Sequence, residues 1–184
     1  MRLLQTTSDL LKEQMLEFHR DSFNVPAERL KSVFAPYRIC PLGAHVDHQL
    51  GMVSALATEM GIWVHYSERS DGQCFIRSEG FPGEVQFELS SPPQRQFDWA
   101  DYARGALQAL QRRYSLTRGL SISINGAVSE VGLSSSAAIG LAYLVAFSEI
   151  NDIDLNSQDL IELDREIENG FLGLKNGLLD QSAI

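Results

Sequence analysis

A short loop rich in glycine and serine carries the strongest chemical signal in this sequence. It lies between a predicted strand and a predicted apolar helix, and it holds six candidate nucleotide-binding residues: Gly132, Leu133, Ser134, Ser135, Ser136 and Ala137. Small residues let backbone N–H groups approach a ligand closely, and a helix start carries unpaired N–H donors with partial positive charge. The segment therefore predicts a phosphate site, where a serine hydroxyl can also ligate Mg²⁺.

The same loop has a purely structural interpretation. Serines are common before helices because they cap the first turn, with no ligand involved. The loop matches neither the Walker pattern, since no lysine follows, nor the dinucleotide glycine fingerprint. Taken alone, it leaves phosphate binding and simple capping both open.

The elements that must position this loop follow from periodicity. Residues 3–23 and 99–114 have helical spacing, and residues 137–150 and 157–169 predict two further helices, with Ser157 as N-cap and Gly170 as stop. Extended segments are predicted at 32–39, 61–67, 73–78, 84–89 and 120–124, the last as a half-buried strand. Asp71-Gly72 predicts a hairpin between the second and third of these. Strands grouped before helices favour an α+β fold.

Three segments resemble motifs of the GHMP kinases, the superfamily of galactokinase, homoserine kinase and mevalonate kinase. Residues 35–51, APYRICPLGAHVDHQLG, resemble the galactokinase signature, and residues 132–138 resemble the second GHMP motif. Residues 168–181, ENGFLGLKNGLLDQ, resemble the galactokinase stretch that ends in GIMDQ. Because order and spacing also agree, the chain is identified as the N-terminal part of a GHMP kinase.

This resemblance implies an ATP- and Mg²⁺-dependent sugar kinase. Residues 1–184 would form a domain similar to a ribosomal-protein S5 domain, and a C-terminal domain with a third, glycine-rich motif would be missing from this chain. Asp180 matches the carboxylate that receives the sugar hydroxyl's proton, and Arg38 matches the arginine beside it. Ser136 and Glu168 match the metal-binding positions.

The sugar-binding positions carry the departures from galactokinase. His45 and Asp47 match residues that line the sugar pocket, but galactokinases have glutamate where this chain has Ala44. An alanine removes a like charge that would repel a 6-carboxylate, and Lys175 could supply a cation for a uronic acid. These changes resemble galacturonokinases, which phosphorylate D-galacturonate at C1.

Each of these residues also has an interpretation without function. Arg38 could form a surface ion pair, Glu168 could be a solvated charge on a helix, and Asp180 could be a cap or turn residue. His45, Asp47 and His48 could form a metal cluster, although no additional ligand stands at a suitable spacing elsewhere in the chain.

Composition restricts the classes of function. The net charge of −9 disfavours nucleic acid as a partner, since phosphate binding needs a basic face. Two cysteines do not make a disulfide framework and favour a reduced, cytoplasmic setting, and no segment approaches the length of a membrane span. The leading hypothesis is a galacturonate 1-kinase. A galactokinase, a non-catalytic sugar- or nucleotide-binding protein and an inactive fragment are the alternatives.

Overall fold

The computed structural model describes residues 2–43, 46–49, 51–125 and 132–184, and for residues 2–11 the backbone only. Its five strands are β1 Lys31–Leu42, β2 Ser54–Arg69, β3 Gln73–Ser78, β4 Glu84–Glu88 and β5 Gly119–Asn125. Its five α-helices are α1 Arg2–Phe23, α2 Asp101–Gln111, α3 Ser135–Ile150, α4 Ser157–Arg165 and α5 Leu179–Ala183. Short 3₁₀ turns lie at Ala27–Arg29 and Asp47–Gln49, and a π-helical turn, Glu166–Phe171, continues α4.

The strands form one mixed sheet in the order β1-β2-β5-β3-β4. The β1–β2, β2–β5 and β3–β4 pairs are antiparallel, and β3–β5 is parallel. A mixed sheet with helices packed on it confirms the predicted α+β class. Among the described ranges, no helix combines the length and apolar character that crossing a bilayer requires.

The predicted hairpin between β2 and β3 is wrong, because β5 lies between these strands. Arg69 at the end of β2 pairs with Gly119, the first residue of β5, and Cys74 in β3 pairs with the next residue, Leu120. A Cβ atom at Gly119 would lie 2.1 Å from the carbonyl oxygen of Gln73. Because Gly119 has no side chain, β5 can approach β3 closely and pair with it. The Asp71-Gly72 turn alone favours direct pairing of β2 with β3.

The central strand β5 is buried on both faces, so the prediction of a half-buried strand is also wrong. Its apolar residues Ile122 and Ile124 face the main core under α2 and α3. Its serines face α1, where Ser123 Oγ lies 2.8 Å from His19 Nδ1. The other ring nitrogen of His19 lies 3.1 Å from Ser67 Oγ on β2. Helix α1 therefore covers the polar face through hydrogen bonds, which alternation along β5 alone does not predict.

Helix α4 begins and ends differently from the prediction. Its N-cap is Asn156, one residue before the expected Ser157, because the Asn156 side chain and Asp159 form a reciprocal capping box. Gly170 does not stop the helix but lies inside the π-helical turn, and the left-handed backbone occurs later, at Gly173 (φ 72°). The chain therefore turns toward α5 three residues later than expected.

Candidate active site

Arg38 joins the two segments predicted to act together. Its Nε donates to Asp180 Oδ1 over 2.7 Å, and its Nη2 lies 2.6 Å from the same oxygen. Its Nη1 donates to the carbonyl oxygen of Gly132 over 2.8 Å, while its backbone N–H donates to the carbonyl of Leu133 over 3.1 Å. With 11% of its side chain exposed, Arg38 is not the surface ion pair of the alternative interpretation.

Ser134 adds a second link between the loop and Asp180. It is the N-cap of α3 in the left-handed conformation (φ 56°, ψ 43°), yet its side chain makes no capping hydrogen bond. Its hydroxyl instead donates to Asp180 Oδ2. Because a non-glycine residue adopts this backbone conformation rarely, the geometry argues that Ser134 serves the carboxylate rather than the helix end.

Glu168 is fully buried against the start of α3, so it is not a solvated helix charge. Its Oε2 accepts a hydrogen bond from Asn176 Nδ2 over 3.0 Å, and its carboxylate is also hydrogen-bonded by Ser136. Its Oε1 has no hydrogen-bond partner among the residues the structure describes. Burial raises the pKa of Glu168 and the charge of Asp180 adds to this, whereas the hydrogen bonds from Asn176 and Ser136 lower it.

The loop between the π-helical turn and α5 is fixed by a pair of asparagines. Asn169 Nδ2 donates to the backbone carbonyl of Asn176, and the Asn176 N–H donates to Asn169 Oδ1, both over 2.9 Å. These bonds hold the Asn176 side chain against Glu168. Lys175 lies in the same loop with its side chain exposed to solvent.

Asp47 lies beside the segment that carries Asp180. Its Oδ2 accepts a hydrogen bond from the backbone N–H of Leu179 over 3.3 Å. A Cβ atom at Gly177 would lie 2.1 Å from that oxygen, so this approach requires glycine. Asp47, Asn176 and Leu179 line one open cleft of about 560 Å³. The predicted sugar-binding residues Ala44 and His45 lie outside the described residues.

The alternative metal cluster around His48 gains no support from the described part of the chain. His48 Nδ1 lies 3.6 Å from Asp47 Oδ1, but no group of three or more His, Cys, Asp or Glu residues is arranged there to hold a metal. His45, the third member of that proposal, is outside the described residues.

Two residues of the site were missed by the sequence prediction. Tyr102 on α2 is hydrogen-bonded to Ser136, and Asp164 on α4 is fully buried near Glu168. The signal for Asp164 was its position: Leu160, Leu163 and Ile167 recur at helical spacing, and Asp164 falls within their apolar stripe. A carboxyl group in such a stripe is buried by the packing of its neighbours.

The fold and this arrangement define the class of protein. Residues 101–184 match the model of the GHMP kinases N terminal domain. Over these residues the chain belongs to the GHMP kinase N-terminal domain family, as predicted from the second and third motifs, which lie within the match.

Curated relatives narrow the resemblance to the sugar kinases. The galacturonokinase of Arabidopsis thaliana is 43% identical over 175 residues, which cover 84% of this chain and 41% of the relative. The galactokinase of Bacillus subtilis (strain 168) is 33% identical over 162 residues, covering 85% and 42%. The chain thus spans about two fifths of the length of these relatives.

Solved structures agree with this assignment. The crystal structure of Lactococcus lactis galactokinase complexed with galactose matches 95% of this chain and 46% of that chain, with a TM-score of 0.88 and 27% identity. Methanococcus jannaschii mevalonate kinase matches with a TM-score of 0.75 at 18% identity, covering 86% of this chain and 52% of that chain, and supports the fold alone.

Proposed function

We propose that this chain is the catalytic N-terminal part of a kinase that transfers the γ-phosphoryl group of ATP to the anomeric hydroxyl of galacturonate. The observation that carries the proposal is the Arg38 junction, which places Asp180 against the glycine- and serine-rich loop. A proton acceptor and a phosphate-binding loop held together by one guanidinium group form the minimum for transfer to a hydroxyl.

In this mechanism the sugar hydroxyl gives its proton to Asp180 while its oxygen bonds to the γ-phosphorus and the bond to ADP breaks. Arg38 holds Asp180 in place and presents positive charge where negative charge spreads over the transferring group. The N-terminus of α3 contributes backbone N–H groups and the positive end of its dipole toward the phosphates.

The residues present fit a magnesium ion. Glu168 offers a buried Oε1 that has no hydrogen-bond partner in the described part of the chain, and Ser136 offers a hydroxyl hydrogen-bonded to the same carboxylate. Both are oxygen donors, which Mg²⁺ prefers. Ser136 and Glu168 are the residues that would hold a bound Mg²⁺, which would offset the negative charge of the phosphates.

The preference for an acidic sugar rests on two residues and one comparison. Ala44 lacks the carboxylate that would repel a 6-carboxylate, and Lys175 presents an exposed cation in the loop beside Asp47 and Asp180. The relative that is 43% identical bears the name galacturonokinase. A positive side chain and the absence of a negative one both favour a uronate over a neutral hexose.

Coupled measurement of ADP release with galacturonate and with galactose tests the proposal. We expect turnover with galacturonate to exceed that with galactose, and Asp180→Asn to abolish both. The Lys175→Gln variant should raise the KM for galacturonate more than that for galactose, whereas Lys12→Gln, on α1, should change neither. A clear preference of the unaltered protein for galactose would refute the choice of substrate.

A galactokinase activity is the second candidate, because the Bacillus subtilis relative and the matched Lactococcus lactis structure are galactokinases. The Ala44→Glu variant separates the two. It restores the acid found in galactokinases, so it should lower use of galacturonate more than use of galactose. Equal effects on both sugars would remove Ala44 from the argument.

A further inference from the structure

Arg165 is a positive side chain on the wall of the cleft that contains Asp47. It is the last residue of α4, and it lines the same open cleft of about 560 Å³ as Asp47, Asn176 and Leu179. Among the described residues that line this cleft, it is the one arginine or lysine. Clefts of about 300–1,000 Å³ with a few polar groups are typical sites for small ligands.

The acidic neighbours of Arg165 are engaged elsewhere. Glu166 forms an ion pair with Arg113, and Glu162, one helical turn before Arg165, accepts a hydrogen bond from Gln158 over 3.1 Å. The side chain of Arg165 makes no hydrogen bond or ion pair with any residue in the described ranges. All five N–H donors of its guanidinium group are therefore available to a ligand.

The backbone beside Arg165 is held in place. The π-helical turn that continues α4 begins directly after it, and such turns are frequent at functional sites. Asn169, in this turn, exchanges two hydrogen bonds of 2.9 Å with the backbone of Asn176, and both asparagines line the cleft. Leu179 also lines it and directly precedes Asp180. One wall of the cleft thus connects Arg165 with the segment that carries the proposed proton acceptor.

We propose that Arg165 determines specificity for an acidic sugar: its guanidinium group binds the carboxylate of a hexuronate held in this cleft. The inference rests on the proposed function and deepens it, because it names the cation within the cleft that recognises the acid. A guanidinium group matches a carboxylate with two parallel N–H···O bonds and remains charged throughout the physiological pH range. A neutral hexose has a hydroxyl group in place of the carboxylate, so it gains neither the ion pair nor the paired bonds.

The surrounding charges make such a cation necessary. The chain has a net charge of −9, and Asp47 adds a negative group to the wall of the same cleft. Both oppose the approach of an anion, so binding of a uronate requires a positive group inside the cleft. Lys175, which is exposed in the neighbouring loop, is not part of this wall and would act from outside it.

Two substitutions of Arg165 test its charge and its shape separately. Arg165→Gln removes the charge, whereas Arg165→Lys keeps the charge and loses the planar fork. The matched control is Arg20→Gln, because Arg20 is also an exposed arginine in the last turn of a helix, on α1. Isothermal titration calorimetry measures the dissociation constants of galacturonate, its methyl ester and galactose, and a thermal unfolding scan verifies that each variant is folded.

We expect the unaltered chain to bind galacturonate more tightly than the methyl ester or galactose. Arg165→Gln should weaken the binding of galacturonate by about 10-fold or more and leave that of the two neutral sugars within about 2-fold, because hydrogen bonds between charged groups contribute on that order. Arg165→Lys should give an intermediate loss, and Arg20→Gln should match the unaltered chain.

The outcomes separate a failure of this inference from a failure of the proposed function. If the unaltered chain prefers galacturonate but Arg165→Gln binds it as well as Arg20→Gln does, Arg165 does not recognise the acid. Equal weakening of all three sugars in Arg165→Gln would also overturn its role, because shape rather than charge would then be what matters. An unaltered chain that bound galacturonate no better than galactose, or bound neither, would refute the proposed substrate, and this inference with it.

Discussion

Replacing Asp164 by asparagine should stabilise the protein, and the gain should grow with pH. The ordinary pKa of this carboxyl group is 3.8, and burial together with the charges of Glu168 and Asp180 raises it to about 9 in the folded chain. The folded state must therefore retain a proton that the unfolded state releases. Asparagine has nearly the same shape and no proton to release.

The magnitude follows from linkage. Each pKa unit is worth about 1.4 kcal/mol, so keeping Asp164 protonated at pH 7 costs about 4 kcal/mol of folding free energy. The cost is absent below pH 3.8, rises through neutral pH and stops growing near pH 9. The free energy of unfolding of Asp164→Asn should therefore exceed that of the parent by an amount that increases by up to about 1.4 kcal/mol per pH unit.

Urea unfolding of the two proteins between pH 5 and pH 8, with EDTA present, measures this difference. Asp154→Asn, at an exposed position, serves as the control and should show no widening gap. A gap between Asp164→Asn and the parent that stays constant with pH would refute the reasoning, as would an Asp164→Asn variant that is less stable throughout. A constant gap would mean that Asp164 is ionised in the folded protein over this pH range, and a less stable variant would mean that protonation of Asp164 is not what costs folding free energy.

Three further substitutions test how the fold is held together. Gly140→Ala should lower the free energy of unfolding by about 2 kcal/mol, since its Cβ would lie 2.1 Å from Asp164 Oδ1, and the loss should vanish in an Asp164→Ala background. Gly119→Ala should cost about 3 kcal/mol in the same urea assay, because its Cβ would meet a backbone oxygen of the neighbouring strand; a loss below 1 kcal/mol would contradict the packing. Burial, and then the charge of His65, lower the pKa of His19 to about 4, so stability falls as the pH drops from 6.5 toward 4. His19→Gln should reduce the loss between pH 6.5 and pH 5 by up to about 2 kcal/mol, and an identical pH profile would exclude this role.

Much of the site could be predicted from the sequence because its residues lie in contiguous motifs. The glycine- and serine-rich loop and the segment that ends at Asp180 are each continuous in sequence, and the types of their residues indicate the chemistry that they could perform. That Arg38 lies beside Asp180 was expected only from the resemblance, because 142 residues separate the two in the chain. The hydrogen bond of Arg38 to the carbonyl oxygen of Gly132 was not predicted. The resemblance did not predict that the Ser134 hydroxyl would donate a hydrogen bond to Asp180.

The errors arose where tertiary packing overrides a local signal. Asp71-Gly72 is typical of a hairpin, but β2 and β3 pair directly only if no other strand lies between them. Gly119 allows β5 to approach β3 closely enough to occupy that position. The alternating serines of β5 suggest a solvent-facing side of the strand. In the structure α1 packs on that side, and His19 hydrogen-bonds to Ser123 on β5 and Ser67 on β2. Asp164 was missed because burial of a carboxyl group depends on α3, a separate element of the chain, leaving room at Gly140.

Arg38 contacts both Gly132, in the loop proposed to bind phosphate, and Asp180, the proposed proton acceptor. This double contact has a thermodynamic consequence. A nucleotide that interacts with the loop or with the guanidinium group of Arg38 would change the environment of Asp180. A sugar that hydrogen-bonds to Asp180 would in turn change the position of the guanidinium group available to the nucleotide. Such coupling is reciprocal by linkage, so each ligand should alter the affinity of the other by the same factor. Under the proposed function, one side chain would thereby make the binding of the two substrates interdependent before the reaction begins.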